Sequence, residues 1–230
     1  FPGSVYVPNI TPYHLSSWTD GELFRAITTG VKKDGSAIFP IMPWQYYGTL
    51  DREDIYDIIA YVRSLKPQKA DYAPRTLDFP LNILVNTMPQ KAALTTRPLE
   101  NDTLKYGAYL VRASACMDCH TQEDKGKMLP GVAYAGGRVF QINGGYVRSA
   151  NITPDAATGI GSWTKEQFTG RFMAYANPAY KPGDVKPGSF QTVMPWLMLG
   201  RMKKNDLEAI YAYLRTVKPV NNQVIKFGNK

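Results

Sequence analysis

The stretch that decides the fold is Cys116-Met117-Asp118-Cys119-His120. The chain has 230 residues but only two cysteines and two histidines, and three of these four residues lie in this one string. Two intervening residues place both thiols on one side of a helical turn, where they can add across the two vinyl groups of a haem. The next residue turns its imidazole onto the iron. This spacing predicts one covalently attached c-type haem, held by Cys116, Cys119 and His120.

Other readings of the same string meet physical objections. A structural zinc ion needs four Cys or His ligands, and only His14 remains outside the string. A thioredoxin-type dithiol needs a βαβ context, which the sequence does not show. A disulfide between these two cysteines would close a very short loop and stabilise little. Haem attachment is therefore the favoured interpretation.

The distal iron ligand must come from elsewhere, and Met194 is the predicted one among eight methionines. It lies in a loop before the last helix, and Pro195 restricts its backbone. Met42 occupies the same place in an internal repeat. Met198 and Met202 follow at helical spacing, which favours core positions for both. His/Met ligation leaves no open iron position, so it favours an electron carrier over an enzyme.

Two segments of the chain repeat one another without a gap. The stretch from Met42-Pro43-Trp44 to Lys66-Pro67 matches the stretch from Met194-Pro195-Trp196 to Lys218-Pro219. Upstream, Asn9-Ile10-Thr11-Pro12 pairs with Asn151-Ile152-Thr153-Pro154, and Trp18-Thr19 pairs with Trp163-Thr164. Internal similarity at this scale indicates two related domains in tandem. The predicted boundaries are a first domain over 1–70, an extended proline-containing connector over 71–100, a second domain over 101–219 and a tail over 220–230.

Hydrophobic periodicity predicts a mostly α-helical protein. Asp51 to Leu65 reads as a helix with Asp51 as its N-cap and an apolar face of Ile55, Ile58, Ile59 and Val62. Its counterpart runs from residue 204 or 205 to Val217. Thr164 is expected to cap another helix, and Asn101 or Asp102 one that runs into the cysteines. No stretch alternates with a period of two for long.

Composition and charge narrow the function classes. The chain is 44% hydrophobic and 20% charged, as ordinary globular proteins are. No apolar run approaches the roughly eighteen residues that a membrane helix needs. The formal charge is +8 and the pI is near 9.3. Because no Lys/Arg stripe is interleaved with aromatic residues, we do not expect a nucleic acid partner; the excess charge serves solubility or docking to an acidic surface or anionic lipid.

These motifs together resemble class I c-type cytochromes, and more closely the multihaem cytochrome c subunits of bacterial membrane-bound alcohol, gluconate and sugar dehydrogenases. The resemblance rests on Ala150-Asn151-Ile152-Thr153-Pro154-Asp155, on Thr158-Gly159-Ile160-Gly161-Ser162-Trp163-Thr164, and on Met194-Pro195-Trp196 followed by Ala212-Tyr213-Leu214-Arg215. It spans both repeats and covers the connector and the tail less well. It implies a fold of two tandem class I cytochrome c domains.

The resemblance also implies roles for single residues. His120 becomes the proximal ligand and Met194 the distal one. Asn151 and Trp163 would line the haem edge near the propionates, although Trp163 is equally explained as a buried core indole. Pro130 would supply the carbonyl that orients the proximal imidazole. Gly107 would allow the first and last helices of the domain to cross closely.

The first repeat departs from the family pattern. It has the Asn-Ile-Thr-Pro string, the Trp-Thr pair and the candidate ligand Met42, but no Cys-x-x-Cys-His precedes them. Its N-terminal haem-attachment helix is either outside the given sequence or lost. Retention of Met42-Pro43-Trp44 favours the former, because an idle ligand loop would have no reason to stay. A second haem, with Met42 as ligand, is then expected in the first domain of the full-length protein.

The expected function is electron transfer from a dehydrogenase or quinol to a downstream cytochrome or oxidase, as a non-enzymatic subunit of a dehydrogenase or respiratory complex. One alternative is a haem enzyme of the peroxidase or sulfur-compound-oxidising kind. Another is a docking module whose first domain carries no haem. Covalent haem attachment occurs outside the bacterial cytoplasm, so we expect a periplasmic location at the inner membrane, with membrane association through a partner or a missing anchor.

Overall fold

The structure is a computed structural model that describes residues 2–124, 126–181, 183–184, 186, 188–189 and 191–229. The chain divides into two compact units, Phe1–Arg97 and Pro98–Lys230. Within the described residues, helices carry most of the regular structure, in agreement with the predicted class. No helix in the described part of the chain is long and apolar enough to cross a bilayer.

The helices of the first unit are α1 (Pro12–Leu15), α2 (Asp20–Thr29), α3 (Trp44–Tyr47), α4 (Arg52–Ser64), α5 (Leu81–Leu84) and a 3-10 turn over Val85–Thr87. Two short strands, β1 (Gly3–Ser4) and β2 (Thr76–Leu77), pair antiparallel. The second unit has helices α6 (Thr103–Ala113), α7 (Cys116–Cys119), α8 (Lys165–Met173), α9 (Trp196–Leu199) and α10 (Lys204–Leu214). Its strands are β3 (Glu123–Asp124), β4 (Lys127–Met128), β5 (Val139–Ile142), β6 (Gly145–Arg148) and β7 (Phe227–Asn229).

Helix α4 forms where the sequence predicts it, with Asp51 as N-cap accepting from the Glu53 amide. Ile55 and Ile59 are buried, as expected, whereas Ile58 is 38% exposed. The apolar face predicted for α4 is thus only partly buried in the described structure.

The predicted connector is not free of regular structure. The stretch 71–97 belongs to the first unit, contains α5 and buries Val85. Beyond α5 the backbone runs extended along the unit: the amide of Ala93 donates to the Gly48 carbonyl and that of Thr95 to the Leu50 carbonyl. These bonds fix an apolar, proline-containing segment against the α3–α4 turn.

In the second unit, α6 and α10 cross at Gly107. A Cβ at that position would lie 2.0 Å from the Ala209 carbonyl oxygen, so only glycine permits the approach. This confirms the predicted role of Gly107. The core at the crossing contains six buried residues: Val111, Ile160, Phe168, Leu207, Ile210 and Leu214. The Tyr106 hydroxyl donates to Asp206 at 3.1 Å and closes one end of the crossing.

A small antiparallel sheet, which the sequence reasoning missed, lies beside this helical core. Strands β5 and β6 form a hairpin, and β7 from the chain's end pairs with β6. The signal for the hairpin was present: Asn143-Gly144 between two alternating stretches is a strong two-residue turn pattern. No local sequence pattern predicts β7, because its partner strand β6 lies about eighty residues earlier in the sequence.

The same hydrogen bonds recur at matching positions of the two units. Asn9 Oδ1 accepts from the amide and hydroxyl of Thr11 at 3.0 and 2.8 Å, and Asn151 Oδ1 accepts from those of Thr153 at 2.9 and 2.8 Å. The side-chain amide of Asn9 donates to the Gln68 carbonyl, just after α4 and its Lys-Pro pair, and that of Asn151 to the Val220 carbonyl, just after α10 and its Lys-Pro pair. Both distances are 2.8 Å. The repeat in sequence is thus a repeat in local structure.

Candidate haem-binding site

The two cysteines lie on a single isolated helical turn. Helix α6 ends at Ala113, and Ala115 takes a left-handed conformation with φ of 48° before α7 begins at Cys116. The predicted helix running into the cysteines is therefore broken once. Because Cys116 and Cys119 are three residues apart on this turn, their side chains share one face. The His120 amide donates to the Cys116 carbonyl at 2.9 Å and holds the histidine directly after the turn.

His120 is fixed by a backbone carbonyl. His120 is only 8% exposed, and its Nδ1 atom lies 2.7 Å from the carbonyl oxygen of Ala150. The expectation that Pro130 supplies this carbonyl is wrong, since Pro130 is exposed and Ala150 takes that place. Burial lowers the pKa of His120, while the bond to Ala150 opposes that shift. The ring is thus favoured in the neutral form, with Nδ1–H donating to Ala150 and Nε2 available as a metal ligand.

Arg138 ties the cysteine turn to the hairpin, a contact that the sequence reasoning missed. Its guanidinium lies 3.4 Å from the Asp118 carboxylate and 3.1 Å from that of Glu123, and it also donates to the Asp118 carbonyl. Arg138 and Asp118 are both mostly buried, which reduces solvent screening of this pair relative to a surface pair. No short sequence motif indicates that Arg138 pairs with Asp118, which lies twenty residues earlier in the chain.

Both thiols are partly buried. Burial, and secondarily the neighbouring Cys119, raise the pKa of Cys116 to about 12. Burial also raises the pKa of Cys119, with a further contribution from Asp118. Both side chains are therefore protonated thiols at neutral pH, and neither is a disulfide partner in the structure. The raised pKa values disfavour the thiolate, which is the form in which cysteine binds metal ions.

Asn151 is buried and all its polar atoms are used. Besides Thr153 and Val220, its amide group donates to the Thr158 hydroxyl at 3.0 Å. Since Asn151 directly follows Ala150, this network also fixes the carbonyl that holds His120. A position at the haem edge stays a prediction for Asn151.

Trp163 is 37% exposed, so the alternative reading of a buried core indole is wrong. Its backbone carbonyl accepts from the Tyr211 hydroxyl at 2.6 Å, which links the start of α8 to α10. Thr164 caps α8 in a reciprocal capping box with Gln167, as predicted. An exposed indole ring is compatible with a position at the haem edge. That position stays a prediction for Trp163.

Met194 lies partly buried in the loop before α9. Its carbonyl accepts from the Trp196 amide at 2.8 Å, and its own amide donates to the Thr192 hydroxyl at 3.1 Å. Met42 is placed identically in the first unit, where its carbonyl accepts from the Trp44 amide at 2.8 Å. Met202 packs against the core, as expected, but Met198 is 77% exposed, so its predicted core position is wrong.

The ring of Trp196 anchors the Met194 loop. Phe172 and Tyr175 of the α8 region lie 5.3 and 5.1 Å from it, and Tyr175 is stacked on it. The guanidinium of Arg171 lies 5.0 Å above the same ring. In the first unit Trp44 is instead fully buried, and its indole N–H donates to the Ile38 carbonyl. Both loops are thus pinned by the indole two residues after the methionine.

His14 lies on α1, between the rings of Tyr13 and Tyr72, and 4.0 Å from the Asp71 carboxylate. It belongs to the first unit. Among the described residues no cluster of three or more His, Cys, Asp or Glu side chains could hold a metal ion.

The residues on the turn fit a covalently attached haem by their chemistry. Two thiols share one face, and the adjoining imidazole is neutral and anchored through Nδ1. A family model for cytochrome c matches residues 104–218, which is half of the chain and includes the cysteine turn, Ala150 and Met194. The chain belongs to the cytochrome c family. Membership implies haem c as cofactor and electron transfer as the general function.

The cytochrome is also similar to cytochrome subunits of dehydrogenases. It is 29% identical over 232 residues to the fructose dehydrogenase cytochrome subunit of Gluconobacter japonicus, covering 94% of this chain and 45% of that protein. It is 26% identical over 233 residues to the cytochrome c subunit of the quinone alcohol dehydrogenase of Gluconacetobacter polyoxogenes, covering 95% and 49%. The chain thus spans about half the length of these relatives.

A third relative is the diheme cytochrome c-type protein of Cereibacter sphaeroides, 26% identical over 234 residues. The match covers 95% of this chain and 73% of that protein. Each alignment extends over nearly the whole chain and therefore includes both units. The expected resemblance to multihaem cytochrome c subunits is confirmed.

Proposed function

We propose that the cytochrome is an electron-transfer subunit in which Cys116 and Cys119 bind haem c covalently and His120 and Met194 are its axial ligands. The observation that carries this proposal is the arrangement of the turn: two thiols on one face, followed by a buried imidazole anchored to the Ala150 carbonyl. When bound, the haem supplies a one-electron iron couple.

The protein's own residues position and tune that group. The hydrogen bond from Nδ1 to Ala150 fixes the tautomer and ring orientation of His120 and raises its basicity as a ligand. Arg138 restrains the turn through Asp118, and the Asn151 network restrains the loop that carries Ala150. Rigid support of this kind keeps structural change small when the iron changes charge.

Met194 is the proposed distal ligand. Its loop is pinned by Trp196, and its backbone geometry repeats that of Met42 in the first unit. A thioether there would fill the sixth coordination position and raise the reduction potential. A filled position favours an electron carrier over an enzyme that binds substrate at the iron.

Both units are proposed to be versions of one class I cytochrome c domain. The recurring Asn–Thr bonds, the matched methionine loops and the matching arginines support this: Arg63 donates to the Leu15 carbonyl and Arg215 to the Ile160 carbonyl. We further propose that Met42 serves a second haem, bound by the first unit. The diheme relative, which this chain covers to 73%, is consistent with it.

The proposed partner is a dehydrogenase, because relatives bear the names of fructose and alcohol dehydrogenase cytochrome subunits. The proposed location is the periplasmic side of the bacterial inner membrane. The charge of +8 supports docking to an acidic surface. Salt screens attraction between exposed charges, and the Debye length falls to about 10 Å at about 0.1 M. The rate at which the partner reduces the cytochrome should therefore fall as ionic strength rises through this range.

The ligand assignment is tested by Met194→Leu, with Met198→Leu as the matched control. Loss of the thioether should abolish the long-wavelength absorption band of an iron–sulfur ligand bond, lower the reduction potential and permit cyanide binding. The exposed Met198 should be replaceable without any of these changes. A Met194→Leu protein with unchanged potential and band would refute this ligation, and a wild-type protein that binds cyanide readily would favour the haem-enzyme alternative.

A further inference from the structure

The segment that follows α10, over residues 220–229, folds back onto the loops that support the cysteine turn. We call it the return segment. Its first carbonyl, that of Val220, accepts from the side-chain amide of Asn151 at 2.8 Å. Farther along, the amide of Arg148 donates to a carbonyl of the segment at 2.9 Å, and β7 then pairs with β6. The return segment is therefore bonded on both sides of Ala150.

The side chain of Asn222, in the return segment, binds one of the two backbone segments that hold His120. Its amide group donates to the Ala135 carbonyl at 2.8 Å. Ala135 is completely buried, so the loss of a hydrogen bond there costs more than at the surface. The next residue, Gly136, donates its amide to the His120 carbonyl at 2.8 Å. Asn222 thus supports the segment that contacts the backbone of the histidine.

The backbone of Asn222 binds the other segment. Its amide donates to the Thr158 hydroxyl at 2.9 Å, and the same hydroxyl accepts from the side-chain amide of Asn151 at 3.0 Å. Asn151 directly follows Ala150, whose carbonyl oxygen lies 2.7 Å from Nδ1 of His120. One residue of the return segment therefore connects the two segments that contact the histidine, one by its side chain and the other by its backbone.

This bridge is a property of the second unit and not of the repeat. Counted from the two Lys-Pro pairs, the residue that matches Asn222 is Ala70. The Ala70 carbonyl accepts from the side chain of Asn9 at 3.0 Å, so the backbone path is similar. Alanine has no side-chain donor, however, and cannot form the bond that Asn222 makes. The asparagine occurs in the unit that carries the cysteine turn.

We propose that Asn222 is a positioning residue for the proximal ligand, holding the Ala135 and Ala150 segments at the spacing at which Nδ1 of His120 bonds to Ala150. This inference rests on the proposed haem ligation by His120. A hydrogen bond from Nδ1 makes the imidazole a more basic ligand, and a more basic ligand stabilises the more highly charged ferric iron. Loss of the bridge should therefore weaken the Nδ1 bond and raise the reduction potential.

The test is Asn222→Ala in the haem-loaded chain. Nuclear magnetic resonance of the reduced protein measures how fast the Nδ1 proton of His120 exchanges with deuterated water. Exchange should be about two- to tenfold faster than in the wild type, which is the effect of one hydrogen bond on an opening equilibrium. Redox titration should show a higher potential. Asn222→Leu keeps the branched shape without a donor and should behave like Asn222→Ala.

Two control variants separate positioning from general loosening of the return segment. Asn221→Ala changes the exposed neighbouring asparagine and should leave exchange and potential unchanged. Arg148→Gln removes a 3.2 Å bond from the guanidinium to the Ile225 carbonyl, outside the bridge, and should leave the exchange rate unchanged. Circular dichroism melting verifies that all variants are folded.

Unchanged exchange and potential in Asn222→Ala would overturn the proposal. So would equally fast exchange in Arg148→Gln, because the whole return segment and not the bridge would then control the histidine. The absorption spectrum of the wild type tests haem ligation separately. A haem ligated by His120 in a chain that is insensitive to Asn222→Ala and Asn222→Leu would refute this inference and leave the proposed function intact.

Discussion

The Nδ1 atom of His120 lies 2.7 Å from the carbonyl oxygen of Ala150, thirty residues later in the chain. This bond joins the turn that carries the two cysteines to the loop that Asn151 organises. Gly136 also contacts this region, because its amide donates to the His120 carbonyl at 2.8 Å. The position of the imidazole therefore depends on three separate segments held together by backbone groups.

Gly136 gives a direct test of that junction. Its φ is 72°, and a Cβ there would lie 2.4 Å from the carbonyl carbon of Ala150. Gly136→Ala should cost about 1–2 kcal/mol of backbone strain and about 1–3 kcal/mol more for the clash. It should also shift the reduction potential, because Ala150 must move away from His120. Urea unfolding and redox titration measure the two effects.

Gly131→Ala is the matched control, because Gly131 also has a positive φ, of 79°, but nothing lies within 4 Å of a Cβ there. It should show the strain cost alone and an unchanged potential. Equal behaviour of the two variants would mean that the Ala150 carbonyl does not position His120.

The helix crossing at Gly107 predicts a second difference. Gly107→Ala should destabilise the second unit by about 1–3 kcal/mol, because the new methyl group would overlap the Ala209 carbonyl. Gly170→Ala on α8 has open space around the new methyl group and should stabilise the protein by up to about 1 kcal/mol through helix propensity. Urea unfolding of both variants measures the free energies. Equal effects of the two substitutions would contradict the close crossing.

The buried asparagine predicts a third difference. Asn151→Ala removes hydrogen bonds to Thr153, Thr158 and Val220 inside the protein and should cost about 1–3 kcal/mol. Asn9→Ala removes the matching bonds of the first unit, but Asn9 is only partly buried, so water can replace them and the cost should be smaller. Thermal unfolding followed by circular dichroism compares them. A larger cost for Asn9→Ala would contradict this ranking.

Asp51 predicts how stability depends on pH. Its carboxylate accepts from the amides of Arg97 and Glu53, which lower the pKa of Asp51. Because the folded-state pKa lies below the unfolded one, this stabilisation is present above about pH 4 and is lost as pH falls through the lowered pKa. The unfolding free energy of the wild type should thus fall more steeply between about pH 5 and pH 3 than that of Asp51→Asn.

Urea titrations at several pH values check this. Asp34→Asn is a useful comparison, since the pKa of Asp34 is also lowered, mainly by local bonds to Ser36. It should change the pH profile without loosening the Arg97 segment. Parallel profiles for the wild type and Asp51→Asn would show that the capping bonds do not survive in solution.

Local signals in the sequence sufficed for much of this cytochrome. The Cys-x-x-Cys-His spacing and the caps at Asp51 and Thr164 each act over a few residues, whereas the role of Gly107 followed from the family resemblance. Long-range choices were missed. Nothing in the sequence near His120 indicates that Ala150, and not Pro130, supplies its carbonyl, or that Arg138 reaches Asp118. Such partners are selected by the tertiary fold, which local periodicity does not encode.

The apolar face of α4 shows a different limit. Periodicity placed Ile58 on one apolar face of α4 together with Ile55 and Ile59. The structure buries Ile55 and Ile59 and leaves Ile58 partly exposed. A helical period identifies an apolar face, and it does not tell how far other elements cover that face.

The most direct test of the central claim is the covalent haem content of this chain, produced with a bacterial cytochrome c maturation system. Intact mass under denaturing conditions and the alkaline pyridine spectrum should show one haem per chain through two thioether bonds, reducible and reoxidisable in a reversible one-electron step. The double variant Cys116→Ser/Cys119→Ser should carry none. A wild-type chain that lacks covalent haem, or whose haem survives the double substitution, would contradict the account.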